Sequence, residues 1–485
     1  MPKLVAVTLL SAAGSAAAFS VAPSLSGPRI APSALSRSGL QGVSTLNRPA
    51  TAARFLTNVR GTAAMPGDAM VSGDSETGGK LAPWRQNFDL EAWGKEIRAI
   101  EKETREDMGQ KDLDHLQKMR NYTLAIYALG LATAGWAKLP WNPISAILLS
   151  VSICVRWTMI GHHTCHGGYN GVVGGEHRFH RSKFAKGPVR RFIDWCDWML
   201  PEAWDVEHNF KHHYELGESS DPDLLERNAH TIRENKIVPT AFKYFEMFML
   251  MIMWKWFYYA PNTVKEMYER QEMLAKQKGK TFKRQPFEMP QAPGDYGMAT
   301  KAATMKSVFA PMLKGNFYPF KVMFGVLAPY FTAHFVITPL IFYALFGKVV
   351  AMCALTNLFA AEILTNIHSF IIVVPNHAGE DVYRFKTPVK IKSDEFYLRA
   401  VIGSVNFRTG SNFNDYFHGW LNYQIEHHMW PDMSMLAYQR CAPKVKAVCE
   451  KYGVPYVQEN VFVRLWKTLQ IGVGTKSMKV WENGD

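Results

Sequence analysis

Residues 142–166 read NPISAILLSVSICVRWTMIGHHTCH. The run from Asn142 to Ile160 carries a single charge, Arg156, and approaches the ~20 residues that a helix needs to cross a bilayer. It leads straight into His162-His163-Thr164-Cys165-His166, so an apolar helix delivers a histidine cluster to one membrane face. Upstream, Asn121 to Ala137 carries no charge, and only Lys138-Leu139-Pro140-Trp141 separates the two runs. A loop that short imposes an antiparallel hairpin. Downstream, Val322 to Gly347 is free of charge, Lys348 marks a turn, and Val349 to Ala378 contains only Glu362. The expected fold is an all-α membrane protein with four spans in two transmembrane helical hairpins. Two hairpins return the chain to its starting side twice, which places 161–321 and everything after His377 on one face, as a helical cap.

Asp89 to Arg120 is charged and helix-prone, with Trp93, Ile97 and Ile100 at helical spacing, as expected of a surface helix ahead of the membrane. Pro239 to Pro261 has an uninterrupted apolar core of only Met247 to Trp254. It is too short to span, and Lys243, Glu246, Lys255 and its aromatic residues suit an interfacial helix. Lys265 to Arg284 is expected to be a polar, mostly basic loop against anionic headgroups.

Composition narrows the function classes. The chain has 485 residues and a net charge of +13. Its mean hydropathy of −0.13 excludes a bundle of ten or twelve membrane helices. The first acidic residue is Asp68, whereas Lys3, Arg29, Arg37, Arg48, Arg54 and Arg60 precede it, so six of the thirteen net charges lie in this stretch. Lys3 with the apolar run Leu4 to Ala18 has the form of a secretory signal, and the acid-free, Ser-, Ala-, Pro- and Arg-rich segment from Phe19 to about Gly67 that of a transit peptide. A signal directly ahead of a transit-like segment resembles the bipartite plastid presequences of algae with secondary plastids. The expected organisation is a presequence over 1–75, a surface-helix region over 76–120, a membrane catalytic domain over 121–456 and a C-terminal tail over 457–485. The charge remaining after the presequence suits an anionic membrane surface, and a nucleic-acid partner is not expected. Six scattered cysteines without a CxxC argue against a disulfide framework and fit a reducing compartment such as a stroma.

Eight of the sixteen histidines fall in three windows: His162-His163-Thr164-Cys165-His166, His208-Asn209-Phe210-Lys211-His212-His213 and His427-His428. Residues four apart share a helix face, so His162/His166 and His208/His212 can each present two imidazoles together. Adjacent pairs such as His212/His213 and His427/His428 diverge and suit different metal ions. Seven or eight imidazoles imply two metals. All-nitrogen sites suit Zn, Cu, Fe or Ni, but zinc usually takes four ligands and often cysteine, and no HExxH occurs. A histidine-rich di-iron centre that activates O2 is the economical explanation. The isolated His115, His230, His334 and His368 are read as ordinary core or surface residues.

At these residues the chain resembles the membrane fatty acid desaturase family, which is marked by three histidine boxes. The resemblance runs from about 120 to 456. It is sharpest at Leu421-Asn422-Tyr423-Gln424-Ile425-Glu426-His427-His428, followed by Trp430-Pro431, Ala442-Pro443-Lys444-Val445 and Cys449 to Tyr456. This is similar to front-end acyl-lipid desaturases, which place a double bond between an existing one and the carboxyl end and carry Gln at the head of the third box. The resemblance implies iron ligands at His162, His166, His208, His212, His213, His427 and His428, with His377 as the extra histidine between the second and third boxes. Gln424 is placed to contact the centre or a bound water. His163 stands where Asp is common and is either a ligand or a neighbour of one, and His177 and His180 are read as structural or headgroup-facing. The second box has three residues between its histidines where front-end enzymes usually have two. No HPGG motif occurs, so a fused cytochrome is not expected and electrons come from a separate protein. In a plastid that implies ferredoxin, an acidic donor suited to Arg178, Arg181, Lys183, Lys186, Arg190 and Arg191 on the stromal face. Phospholipid contact is the equal alternative for that patch.

An unactivated methylene offers no acidic proton, so metals and O2 must supply the oxidising power. Asp194, Asp197, Glu202, Asp221, Asp223 and Glu426 are candidates to accept ring N–H bonds and orient the histidines. Two other readings remain open: a di-iron hydroxylase or ketolase acting on a carotenoid or sterol, and a histidine-rich membrane metal-binding or transport protein.

Overall fold

The computed structural model describes residues 82–481, apart from 137–138, 196–197, 283 and 298. The presequence expected over 1–75 and the candidate Asp197 lie outside the described residues. The protein is mostly helical, with two pairs of very short parallel strands, Tyr383–Phe385 with Lys479–Trp481 and Asn406–Phe407 with Gln458–Glu459.

Among the described residues, three helices are long and apolar enough to cross a membrane: Pro143–His166, Tyr318–Phe346 and Lys348–Asn376. The fourth expected span forms the second half of a longer helix, Gln110–Ala134. Its first half is charged and buries Leu113, Leu116 and Met119 in the cap core, which is why the helix as a whole is not apolar enough to count. Its second half packs on the next helix, where a Cβ added to Gly130 would lie 2.9 Å from Leu149. The connection between them docks on the Lys348–Asn376 helix: Asn357 accepts from Asn142 N (2.8 Å) and donates to Ala134 O (2.8 Å). The later hairpin turns at Gly347, whose φ of 85° suits glycine. Leu131, Leu149, Phe342, Leu358 and Ala361 form a small apolar core between these helices. Their outer faces stay exposed, as at Ile144 (65%) and Phe324 (61%), the pattern of surface meant for lipid.

A larger core, rich in tryptophan, fills the cap. The Leu90–Glu106 helix is capped by Asp89, buries Trp93, Ile97 and Ile100 as its spacing predicts, and packs on Met435–Tyr452. Residues 240–277 form one helix that passes through a π-helical turn at Lys255–Tyr259. It is not among the helices apolar enough to span. It rests on Lys348–Asn376 through Trp254 Nε1, which donates to Asn366 O (2.9 Å), and through the ion pair Lys255–Glu362 (3.0 Å). The basic loop expected from Lys265 is helical as far as Gln277. Lys265 is buried against Glu266 (2.8 Å), which also binds Lys211, so that stretch turns charge inward instead of toward headgroups. The expected C-terminal tail also folds onto the body. The Val461–Val473 helix buries Arg464 completely, and Lys479–Trp481 joins a sheet.

Candidate metal centre

The three histidine boxes and His377 converge. Ring nitrogens of His162, His166, His208, His213 and His427 lie within 4.8 Å of one another, and so do those of His212, His377 and His428. The i,i+4 expectation holds for the first box, whose His162 and His166 rings are 4.8 Å apart. In the second box His208 and His212 also lie together, stacked at 5.2 Å, and a further pairing is added. Residues 205–212 are π-helical, and His213 N bonds to His208 O, five residues back (3.1 Å). That register brings His208 and His213 together, Nε2 to Nε2 at 3.2 Å, while His212 lies with His377 and His428 and, on its other side, with His208 and Asp223. Adjacent histidines of the third box divide as expected, His427 to the first group and His428 to the second.

The donor set fits two cations. His162 Nε2 and His427 Nε2 face each other at 2.7 Å, and two ring nitrogens at that distance need a proton or a metal between them. Burial pushes His208, His213, His377, His427 and His428 well below the usual imidazole range, so each is the neutral form that binds metals. His212 differs. Burial alone would lower it, but Asp221 and then Asp223 raise it above the ordinary value. The Asp221 carboxylate can only accept, so the His212 Nδ1 contact at 2.9 Å carries the ring proton. Nε2 is buried without a partner, and a metal there would take the place of a second ring proton while Asp221 holds the first on Nδ1. The Tyr438 hydroxyl donates to Trp430 O (2.9 Å) and so accepts from His427 Nδ1 (3.1 Å). It performs for His427 what Asp221 performs for His212. The Gln424 amide nitrogen spans His377 Nε2 (3.0 Å) and His428 Nε2 (3.1 Å).

Of the other carboxylate candidates, Asp223 reaches His212 at 3.8 Å. Glu426 instead binds Asn406 Nδ2 and Tyr456 OH, both at 2.8 Å. Asp194 is held by Arg178 (2.7 Å) and Arg190 (3.0 Å), and Glu202 is exposed. Arg181 pairs with Asp205 and Lys183 with Glu176, so the fold answers much of that segment's charge internally. His163 lies beside His427 and Tyr438, outside both groups. His177 accepts from Phe179 N and His180 contacts Ser182. His115 packs on Trp420, His230 on Tyr296 and His334 on Tyr330, while His368 bonds Phe417 O. No cysteine enters either group among the described residues.

A model of the family described as fatty acid desaturase matches residues 138–460, more than half of the chain. The chain belongs to the fatty acid desaturase family. Similar relatives within short stretches include a mouse (Mus musculus) fatty acid desaturase 2-like protein, 35% identical over 102 residues, 20% of each chain. An acyl-lipid (9-3)-desaturase of Physcomitrium patens is 31% identical over 109 residues, 22% of this chain and 19% of the relative. An NADPH-dependent stearoyl-CoA 9-desaturase of Mycobacterium tuberculosis is 29% identical over 120 residues, 24% and 28%. The chain thus spans less than a third of the length of these relatives. No solved structure matches it.

Two contacts to the rings and one buried carboxylate lie outside the candidates read from this desaturase-family sequence. Trp204 stacks on His208 at 4.7 Å, and Tyr438 holds His427. Glu207, buried and bonded to Tyr259 OH (3.3 Å), is pushed well above the usual carboxylate range, by burial first and then by Asp223. Only the three-dimensional packing marks Trp204 and Tyr438, whereas adjacency to His208 was a usable signal for Glu207. Asp221→Asn keeps the side-chain shape but removes the charge behind His212. Metal affinity is expected to fall about 10- to 100-fold, read as faster metal loss in a chelator titration. Unchanged retention would remove Asp221 from the metal site.

Proposed function

We propose that the protein is a membrane-bound, oxygen-dependent di-iron acyl-lipid desaturase of the front-end type. The observation that carries the reading is the division of one third box between two histidine groups, His427 with His162, His166, His208 and His213, and His428 with His212 and His377. That arrangement supports two irons, and the donor chemistry of neutral imidazoles suits them. When bound, the irons supply the O2 activation that removes two hydrogens from adjacent methylenes. O2 takes up those hydrogens together with two external electrons and two protons, leaving two waters and one new double bond.

The chain's own groups orient and enclose. Asp221 and Tyr438 fix the ring tautomers of His212 and His427, and Gln424 bridges His377 and His428. A small crevice beside His213 and His428 is lined by Leu216, Val389, Phe396 and Ala400 together with Glu218 and Arg399. Gln424 at the head of the third box supports insertion on the carboxyl side of an existing double bond, as does the likeness to the (9-3)-desaturase. The histidines gather in one cluster instead of lining a pore, which favours the enzyme over a metal transporter.

In this reading the second half of Gln110–Ala134 is the fourth span, so two hairpins carry the histidine cap on one face. The Phe242, Phe245 and Phe248 side of the 240–277 helix, exposed in the structure, lies in the interface. The 1–75 segment directs the chain to a plastid membrane with the cap in the stroma. The surface-helix region covers 76–120, the catalytic domain spans 121–456, and 457–485 follows it. An external donor such as ferredoxin supplies the electrons, with Arg178, Arg181, Lys183, Lys186, Arg190 and Arg191 as its docking segment. The test is expression of the chain from about residue 76 with ferredoxin, followed by a host fatty-acid profile. A new polyunsaturated acyl chain is expected, and an oxygenated product without a new alkene would replace this reading with a hydroxylase.

A further inference from the structure

We infer that the C-terminal helix Val461–Val473 sets the position of His377, with Arg464 and Thr468 as positioning residues for the second histidine group. The inference rests on reading that group as an iron site. His377 follows the end of the Lys348–Asn376 helix, where the backbone is no longer helical. Its ring touches Gln424 through Nε2 (3.0 Å), while Nδ1 is buried without a partner. It therefore lacks the kind of acceptor that Asp221 provides for His212 and Tyr438 for His427. The ring's placement then depends on how firmly its backbone is held.

That backbone is clamped from two sides. Upstream, Asn376 O accepts from Val405 N (3.0 Å), and Asn376 Nδ2 donates to Leu421 O (2.9 Å) and Gln424 Oε1 (3.3 Å). These bonds tie it to the third-box segment. Downstream, the carbonyl of Ala378 accepts from Arg464 Nη2 (3.0 Å) and from the Thr468 hydroxyl (3.1 Å), which shares its one hydrogen with Arg464 O (2.9 Å). Arg464 Nη1 meets both carboxylate oxygens of Asp381 (2.6 and 2.7 Å) and Glu459 (3.3 Å). One wholly buried guanidinium thus closes the turn that starts at His377. The approach is close enough that a Cβ on Gly379 would stand 2.3 Å from Arg464 Nη2. Arg's planar fork serves a carboxylate and a carbonyl at once, which a lysine ammonium on a flexible stem does not reproduce. Both positioning residues lie beyond the family-matched stretch, which ends at residue 460.

The test uses the full chain in detergent, with iron per chain measured by elemental analysis and the iron environments resolved by Mössbauer spectroscopy. Arg464→Lys keeps the charge for Asp381 but removes the fork, and Thr468→Val removes a donor to Ala378 O with little change of shape. Iron is expected to fall from two per chain toward about one, with signal lost from one environment only and helical content by circular dichroism unchanged. Two irons retained in both variants would overturn the inference. So would loss of both irons together with helix, which would make the C-terminal helix a folding element without a specific hold on His377. Wild-type protein that holds two irons yet forms no new alkene would sink the proposed function and leave this inference standing.

Discussion

His212→Ala is expected to abolish desaturation while leaving a folded protein. His212 presents a buried, unpartnered Nε2 to the second group and is held from behind by Asp221. Its loss removes one of the three imidazoles of that group. Losing a residue that merely orients a ligand already costs 10- to 100-fold, so losing the ligand should lower turnover by more than about 100-fold. The fold should survive because Asp221 still accepts from Gly217 N (2.7 Å) and Asp223 N (2.9 Å), which keep the turn beneath the ring. Product formation by gas chromatography and iron per chain are the measurements. Near wild-type turnover with half the iron missing would count against a catalytic role for the second group.

The second large effect concerns stability. Lys255 and Glu362 are both wholly buried, 3.0 Å apart, with Tyr330 OH also bonded to Glu362 and His334 at 3.5 Å. Trp198 and Trp256 flank the ammonium at 5.2 and 5.7 Å. Lys255→Met leaves a carboxylate buried within the span bundle without its cation, and breaking such a pair costs roughly 3–5 kcal/mol. Replacing both partners, as Lys255→Met with Glu362→Leu, should recover most of that loss, because the desolvation of both charges disappears together. Thermal denaturation in detergent micelles reads both values. Equal stability of the single variant and the wild type would mean that water reaches the pair, contrary to its burial.

Much of the architecture was legible in the sequence because it depends on local chemistry. Charge-free runs near the length of a bilayer crossing mark helices, and the lone Lys348 beside Gly347 marks the later turn. The 3.6-residue period placed Trp93, Ile97 and Ile100 on one buried face. Histidines at i and i+4 in the first box shared a face because the helix there is regular. In the second box the rule also kept His208 beside His212, but it did not foresee that five-residue hydrogen bonding would bring His213 to His208 as well. Spacing alone does not reveal a change of helical register. The basic stretch from Lys265 read as a surface loop because Lys211, which shares Glu266 with Lys265, lies 55 residues upstream on another element.

By itself, then, the sequence determined which residues are apolar enough to be buried in lipid and which side chains offer nitrogen ligands, since both are properties of single residues at short spacing. The tertiary structure alone decided which imidazoles lie together, that Asp221 and Asp223 of the five described candidate carboxylates reach a ring, and that Arg464 holds the turn after His377. Those outcomes rest on contacts between residues as far as 265 positions apart, and only the packed chain brings such groups within hydrogen-bonding distance.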